Sequence, residues 1–569
     1  MPSSITSASS SSSSGHHRSP SQKRSKAHHN LDKAAEAFED DRTNYRIIRD
    51  GGWDSLHHFM LSYGLKPYDP DDYETAKVII QGFRERGYYR QPTSSGSSNR
   101  KFLYQDGDFV NTLLRDLSSN NEDFRRSLST KYLSIVPQRD AFISGDSSVV
   151  LFDVDPDDTQ RTAHGREEAE TTMSVLEKSQ TPRLLHCHGA QSLPLQESGI
   201  DLIAGVKVAI DGLEGLGYPL GLELEKHWLV NSKAALAGSG LLAPRTEVIE
   251  VAGYPTAAKD CCDICRAAEE DEHQDLLPII PNDCKGQRGN WVGVREQQIV
   301  SAVASRRIPF VIKTQQTFGG SGAWIVSDVQ QRDHLLNDIS RDDGVIRRIL
   351  SQINDGNHHL HPGSMILSDF VQDPIGNYGV TFFVTDTGGV IFMGVSEQTV
   401  ASDGKAWTGS IINYGKQGIL QELLKPVMQQ TAQWLSKEHR YHGPVGIDIL
   451  ETKTAGDASS QKAECSILQI VDLNVRVAGS MSLPLLRGHF TSRGLRCASI
   501  SMVTMRRDRW GFIARWKEEF ESGRIVILSW YYDPGTDISV GSIVLGGEDE
   551  SRLHEFIDKV HRTTENVTF

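Results

Sequence analysis

Apolar and polar residues alternate through the second half of LQIVDLNVRVAGS, residues 468–480. Leu473, Val475 and Val477 fall on one side, and Asp472, Asn474 and Arg476 on the other. A period of two predicts a β-strand buried on its apolar face. Asp and Asn are poor strand residues, so the polar face asks for a chemical reason. VGIDILET, 445–452, has the same texture and predicts a partner strand carrying Asp448. PFVIKT, 309–314, reads as a buried strand with Lys313 near its end, followed by the glycine loop QQTFGGSGAW and the strand WIVSD. MILSDFVQD predicts another strand, and 378–398 alternates as a hairpin turning at TDTGG. Apolar residues at helical spacing predict helices over 73–89, 293–305, near 330–353 and over 421–440, the last interrupted early by Pro426. Residues 159–183 read as a surface helix or loop. Strands and helices follow one another without a regular βα period, which predicts α+β units side by side.

A chain of 569 residues is too long for one ordinary domain. With 38% hydrophobic and 24% charged residues it can bury a sizeable core. The net charge of −14 argues against a general nucleic-acid binder. The longest apolar runs, such as 203–210, carry a charge and are too short to span a bilayer. Residues 1–35 are Ser-rich, lack an apolar signal segment and predict a disordered tail. Seven cysteines without a secretory signal fit a reduced, cytoplasmic location. Four of them fall in DCCDIC…NDC: Cys261, Cys262, Cys265 and Cys284. Their irregular spacing reads first as free thiols of an insertion, and second as a zinc-binding set with His273 lying between.

The polar strand faces carry the chemistry. Asp448 and Asp472 supply carboxylates and Asn474 an amide oxygen, the hard ligands that suit Mg²⁺ or Mn²⁺ holding nucleotide phosphates. Arg476 adds a planar fork of donors for a phosphate or acyl-phosphate. Lys313, with Gly319, Gly320, Ser321 and Gly322 in the following loop, supplies charge and backbone N–H groups to phosphate oxygens. The loop is not a Walker A motif, because GxxxxGK[ST] is absent. Glu397, Gln398, Trp407, Gly409, Arg487 and His489 are weaker candidates for the same cleft. His186 and His188 read as a strand-end loop before a metal pair.

The order of these parts resembles the ATP-grasp superfamily, which includes D-alanine–D-alanine ligase, biotin carboxylase and carbamoyl-phosphate synthetase. The likeness covers roughly residues 225–505, and the whole chain is most similar to fungal, solid-state-culture-specific proteins with such a domain. NSKAAL followed by LLAPRTEV looks like the family's opening "DK" helix and "GxPxP" segment, which makes Lys233 the first nucleotide-phosphate lysine and Lys313 the second. Gly319–Gly322 match the lid. MILSDFVQD matches the hinge, with Asp369 at the usual Glu, Phe370 and Val371 reading adenine through their backbone, and Asp373 approaching the ribose. Asp448, Asp472 and Asn474 match the metal ligands, and Arg476 the arginine of "ExNxR".

The resemblance implies an α+β ATP-grasp fold, two α+β subdomains gripping ATP. An α/β N-terminal domain over 36–224 would precede it. The grasp would span 225–505, divided into 225–372 with the glycine lid and 373–505 with the metal ligands. An α/β appendage, 506–569, would follow. It implies an ATP- and Mg²⁺-dependent carboxylate ligase of the carboxylate–amine type, acting through an acyl-phosphate in fungal specialised metabolism. Its partners would be a small carboxylic acid and an amine. The alternatives on one scaffold are a carboxylase, a kinase or a non-catalytic ATP-binding regulator. Asp in place of Glu at 369 and 472, Ser232 for the "DK" aspartate, and Gly446 where D-alanine ligases keep an arginine are departures from the pattern.

Overall fold

The computed structural model describes Leu56, Lys77 and residues 134–564, apart from 155–157, 189–192, 194–198, 201, 204, 208, 211–212, 271–278, 319–320, 342–343, 401–406, 454–465 and 535–536. The expected tail and the helix expected over 73–89, Lys77 excepted, lie outside the described residues, as do Gly319 and Gly320.

The chain is α+β. Fourteen strands among the described residues form three sheets: β1 (Ser148–Phe152), β2 (Arg183–Cys187), β3 (Thr246–Ile249), β4 (Phe310–Phe318), β5 (Ser321–Val326), β6 (Met365–Asp369), β7 (Gly376–Val384), β8 (Val390–Val400), β9 (Trp407–Asn413), β10 (Gly443–Lys453), β11 (Ser466–Asn474), β12 (Cys497–Met505), β13 (Ile525–Asp533) and β14 (Ile538–Gly547). β1 and β2 pair in parallel. The smaller antiparallel sheet has the order β3-β6-β4-β5, and the larger one β11-β10-β7-β8-β9-β12-β14-β13. β13 and β14 lie within 506–569, so the larger sheet continues across the boundary expected for a C-terminal appendage.

The two antiparallel sheets pack against helices. Leu424, Val427, Met428, Thr431, Ala432 and Leu435 recur at helical spacing along helix Gln417–His439 and are buried. This stripe shares a core with Val380 and Phe382 of β7 and with Val445, Ile447 and Ile449 of β10. Pro426 is accommodated inside that helix. Phe310 and Ile312 of β4 join Val292, Ile299 and Val303 of helix Gln287–Ser305 in the core of the smaller unit. The single helix expected near 330–353 is two, Val329–Ile339 and Val345–Ser351. Gly344 caps the second in an extended conformation, and a Cβ there would sit 2.6 Å from the Asp338 carbonyl oxygen.

The stretch 159–183 contains helix Thr159–Met173, which has a buried face rather than a purely solvated one. Its Glu168 accepts from Arg509 at 2.6 and 3.1 Å, and Arg509 also reaches the Glu168 carbonyl and Thr172 Oγ1. All three side chains are largely buried, so this network fastens the helix to the C-terminal segment. Arg509→Met is expected to destabilise the protein by about 3–5 kcal/mol, because it strands a buried carboxylate. Glu168→Met/Arg509→Met is expected to cost less, and urea unfolding of both variants checks the order.

Candidate active site

The free faces of the two sheets enclose a cavity of about 590 Å³. Strand alternation decides what lines it. On β4, Phe310 and Ile312 turn into the core while Val311 and Lys313 face the cavity. On β10, Val445, Ile447 and Ile449 are core, while Gly446, Asp448 and Leu450 are only partly covered or line the space.

β10 and β11 place Asp448 directly opposite Asp472. Like charges opposite each other on neighbouring strands repel, so a half-buried pair calls for cations. A β-bulge follows at once, with Ile449 opposite Ile470, leaving Val471 as the extra residue. The Val471 carbonyl accepts from Lys313 Nζ at 2.6 Å. Lys233, the first residue of helix Lys233–Gly238, ion-pairs with Asp472. Ser232 caps that helix by accepting from the Ala235 N–H at 3.2 Å, so the residue replacing the "DK" aspartate fixes the start of the helix and hence Lys233. Both lysines thus reach β11, Lys313 from β4 of the smaller sheet and Lys233 from the start of its helix. Asn474 Oδ1 accepts from Arg476 at 2.9 Å, and alternating burial continues through Val477 although the strand ends at Asn474.

These groups set one another's protonation. Burial pushes the Asp448 carboxyl up, Asp472 pushes it further, and Lys233, Lys313 and a hydrogen bond from Gln398 oppose them, leaving it at about 7. Burial raises Asp472 as well, but the charges of Lys233, Lys313 and Arg476 outweigh it and hold that carboxyl below its ordinary value. Burial lowers Lys313 despite the attraction of Asp472 and Asp448. Gln398 donates to Asp448 Oδ1 at 3.0 Å and accepts from Trp407 Nε1 at 2.5 Å and Ser410 Oγ at 2.8 Å. The amide is therefore oriented with its NH₂ toward the carboxylate.

Two carboxylates and an amide oxygen, opposed across one strand pair and only partly matched by lysine and amide donors, fit a hard divalent cation such as Mg²⁺.

Several expected residues stand apart from this group. Asp369 ends β6 beside the cavity, but its carboxylate pairs with Arg306 at 2.7 Å. Phe370 and Val371 line the cavity. Asp373 is exposed in the following turn at φ +46° and is not among the lining residues. Gly322, at φ +81°, is on β5 beside Thr314 and is not a lining residue either. Ser321 begins β5. Trp407 lines the cavity; Glu397, Gly409, Arg487 and His489 do not. His186 and His188 face Glu170 and Asp153. At Gly446, a Cβ would lie 2.5 Å from that of Ala478, so the arginine kept there by D-alanine ligases has no room.

Two cavity cations come from residues that motif reading passed over. Arg139, in helix Val136–Phe142, lies over the Trp407 ring at 5.8 Å. Lys207 is fully enclosed, 2.7 Å from Asp140 and 2.9 Å from the Val477 carbonyl. Burial lowers Lys207, the Asp140 carboxylate opposes this, and repulsion from Arg139 and Arg476 adds to it, leaving the amine at about 8. A single charge inside the apolar run 203–210 was the sequence signal for Lys207. Arg139 has no comparable signal.

No protein-family model matches the chain, and no curated protein matches it. Among solved structures, it is similar to N5-carboxyaminoimidazole ribonucleotide synthetase from Thermus thermophilus, with 12% identity over 74% of this chain and 93% of that one and a TM-score of 0.39. Biotin carboxylase from Campylobacter jejuni, as its beta-gamma-ATP complex, gives 9% identity over 84% and 91% and a TM-score of 0.40. Carboxyaminoimidazole ribonucleotide synthase from Aspergillus clavatus, complexed with ATP, gives 10% over 84% and 99% with a TM-score of 0.39. Among the described residues, no helix is long and apolar enough to cross a membrane.

Proposed function

We propose that this chain is an ATP-grasp-type ligase that uses ATP and Mg²⁺ to join a carboxylic acid to an amine, releasing ADP and phosphate. The observation that supports it most is the meeting, in one cavity, of Lys233 and of Lys313 on β4 with Asp448, Asp472, Asn474 and Arg476 on and just after the β10–β11 pair. In this reading the adenine lies against Phe370 and Val371, and the two lysines hold the phosphates. Asp448, Asp472 and Asn474 would hold the cation. When bound, it would neutralise phosphate charge and make the γ-phosphorus more electrophilic.

The acid sits toward Arg139 and Arg476, with Trp407 as a wall. An oxygen of its carboxylate attacks the γ-phosphorus, the bond to the bridging oxygen of ADP breaks, and an acyl-phosphate forms. An amine then displaces phosphate and gives up a proton. Arg476 neutralises charge during transfer, and the enclosed cavity shields the labile acyl-phosphate from water. We place it in the cytoplasm from its cysteine usage and in fungal specialised metabolism from the sequence resemblance.

The test is release of ADP and phosphate from purified protein with Mg-ATP, across acids offered with and without amines. Release that depends on one acid supports the reading and names its first substrate. AMP and pyrophosphate would replace the acyl-phosphate with an acyl-adenylate. Phosphorylated acid that accumulates in the presence of every amine would make the protein a kinase.

A further inference from the structure

A second site lies outside the cavity. Cys261, Cys262, Cys265 and Cys284 bring their sulfurs together so that all four lie within 4.8 Å of one another. Cys284 Sγ is 3.7 Å from Cys261 Sγ, 3.7 Å from Cys262 Sγ and 3.3 Å from Cys265 Sγ. All four are free thiols. Four thiolates arranged as a tetrahedron about 2.3 Å from one zinc ion stand about 3.8 Å apart, so the sulfurs already have nearly the required spacing. Bridged sulfurs would be about 2.05 Å apart.

The surrounding backbone is built for sulfur. The Cys265 N–H donates to Cys262 Sγ at 3.5 Å, where the CxxC turn enters helix Asp263–Glu270. Cys284 lies just before helix Gln287–Ser305, whose first backbone N–H groups have no intrahelical partner. Donors at a helix start favour thiolate over thiol. A Cβ at Gly286 would sit 2.6 Å from Cys261 Sγ, and one at Gly289 1.8 Å from the Cys284 carbonyl oxygen, so both turns wrap too closely for any other residue. Cys265 and Cys284 are each 3% exposed and belong to the core with Ile280 and Val292. Without a metal, two buried and two half-buried thiols would offer one another only weak S–H hydrogen bonds.

We infer that Cys261, Cys262, Cys265 and Cys284 form a tetrathiolate zinc site. Each thiol releases its proton to solvent as its sulfur takes up a coordination position, so one Zn²⁺ replaces four protons. With four protein ligands the site is closed and structural. It fastens the insertion after β3 to the start of helix Gln287–Ser305, whose Val292, Ile299 and Val303 pack beneath β4 and thus support the strand carrying Lys313. Soft thiolates select zinc, while the oxygen set in the cavity suits magnesium, so the two metals do not compete.

The full chain, purified under reducing conditions without chelator, is expected to carry one zinc per molecule by elemental analysis. Zinc-stripped protein titrated with Co²⁺ is expected to show thiolate-to-cobalt charge transfer and the visible bands of tetrahedral Co²⁺. Cys284→Ser should lose stoichiometric zinc, whereas Asp448→Asn and Cys187→Ser should retain it. If Cys284→Ser fails to fold, the cobalt spectrum of the parent chain still decides. Protein that purifies without zinc and gives no thiolate–cobalt bands overturns the assignment. Mass spectrometry that finds two disulfides among the four cysteines in the freshly purified chain also overturns it.

Discussion

Asp448→Asn is expected to slow ATP turnover by about 10²- to 10³-fold, the usual loss when one preorganised charge-stabilising group is removed, yet to leave the metal-free protein as stable as the parent or more so. The two effects share one cause. Asp448 faces Asp472 across β10 and β11, so the pair is costly until a cation lies between them. The amide keeps the shape and still accepts from Gln398, while the repulsion disappears. The sign follows from linkage. The Asp448 carboxyl is raised to about 7 in the folded protein, so between its ordinary value and pH 7 the folded state holds the extra proton. Stability therefore falls as pH rises through that window, and the penalty is complete above it. The gain from Asn should be largest above about pH 7 and vanish in acid. Thermal unfolding with EDTA and with Mg-ATP reads both effects: the parent is stabilised by Mg-ATP and the variant much less. A variant that turns over ATP at the parent rate would remove Asp448 from the chemistry.

That aspartate was legible in the sequence because a strand face is a local property. Alternation in VGIDILET and DLNVRV is enough to separate Ile447 and Leu473 from Asp448 and Asp472, and it also exposed Lys313 on β4. The bulge at Val471 was not legible. It depends on how β11 pairs with β10, and it turns the carbonyl toward Lys313. The division of the expected 330–353 helix depended on Gly344, a residue that a periodicity count passes over. Lys233 was identified from a motif, but the sequence does not reveal that it pairs with Asp472, 239 positions away. The cysteine spacing seemed irregular because two segments, each ordinary alone, converge only when helix Gln287–Ser305 is docked.

Arg139 and Lys207 were the least legible, since their relation to Arg476 exists only once they meet it in the cavity wall, and they carry the other large expected effect. Arg139→Ala should raise the KM for the acid about 10²-fold, within the range for losing one side of a buried charge-assisted contact, with the KM for ATP nearly unchanged. Lys207 adds a pH dependence. Below about pH 8 its amine is charged and adds a third cation to Arg139 and Arg476, beside the carboxylates of Asp140 and Asp472. Above that pH one of the three cations is lost while both carboxylates stay charged, and an anionic substrate is held less tightly. The KM for the acid should therefore be low and flat below pH 8 and rise above it, since neither arginine titrates in this range. Arg139→Ala should shift the whole curve upward and keep the step. Lys207→Met/Asp140→Asn, which leaves no buried carboxylate stranded, should abolish the step. A step that survives in that double variant would assign the titration to another group, and an Arg139→Ala enzyme with unchanged KM for the acid would move the acid to another wall of the cavity.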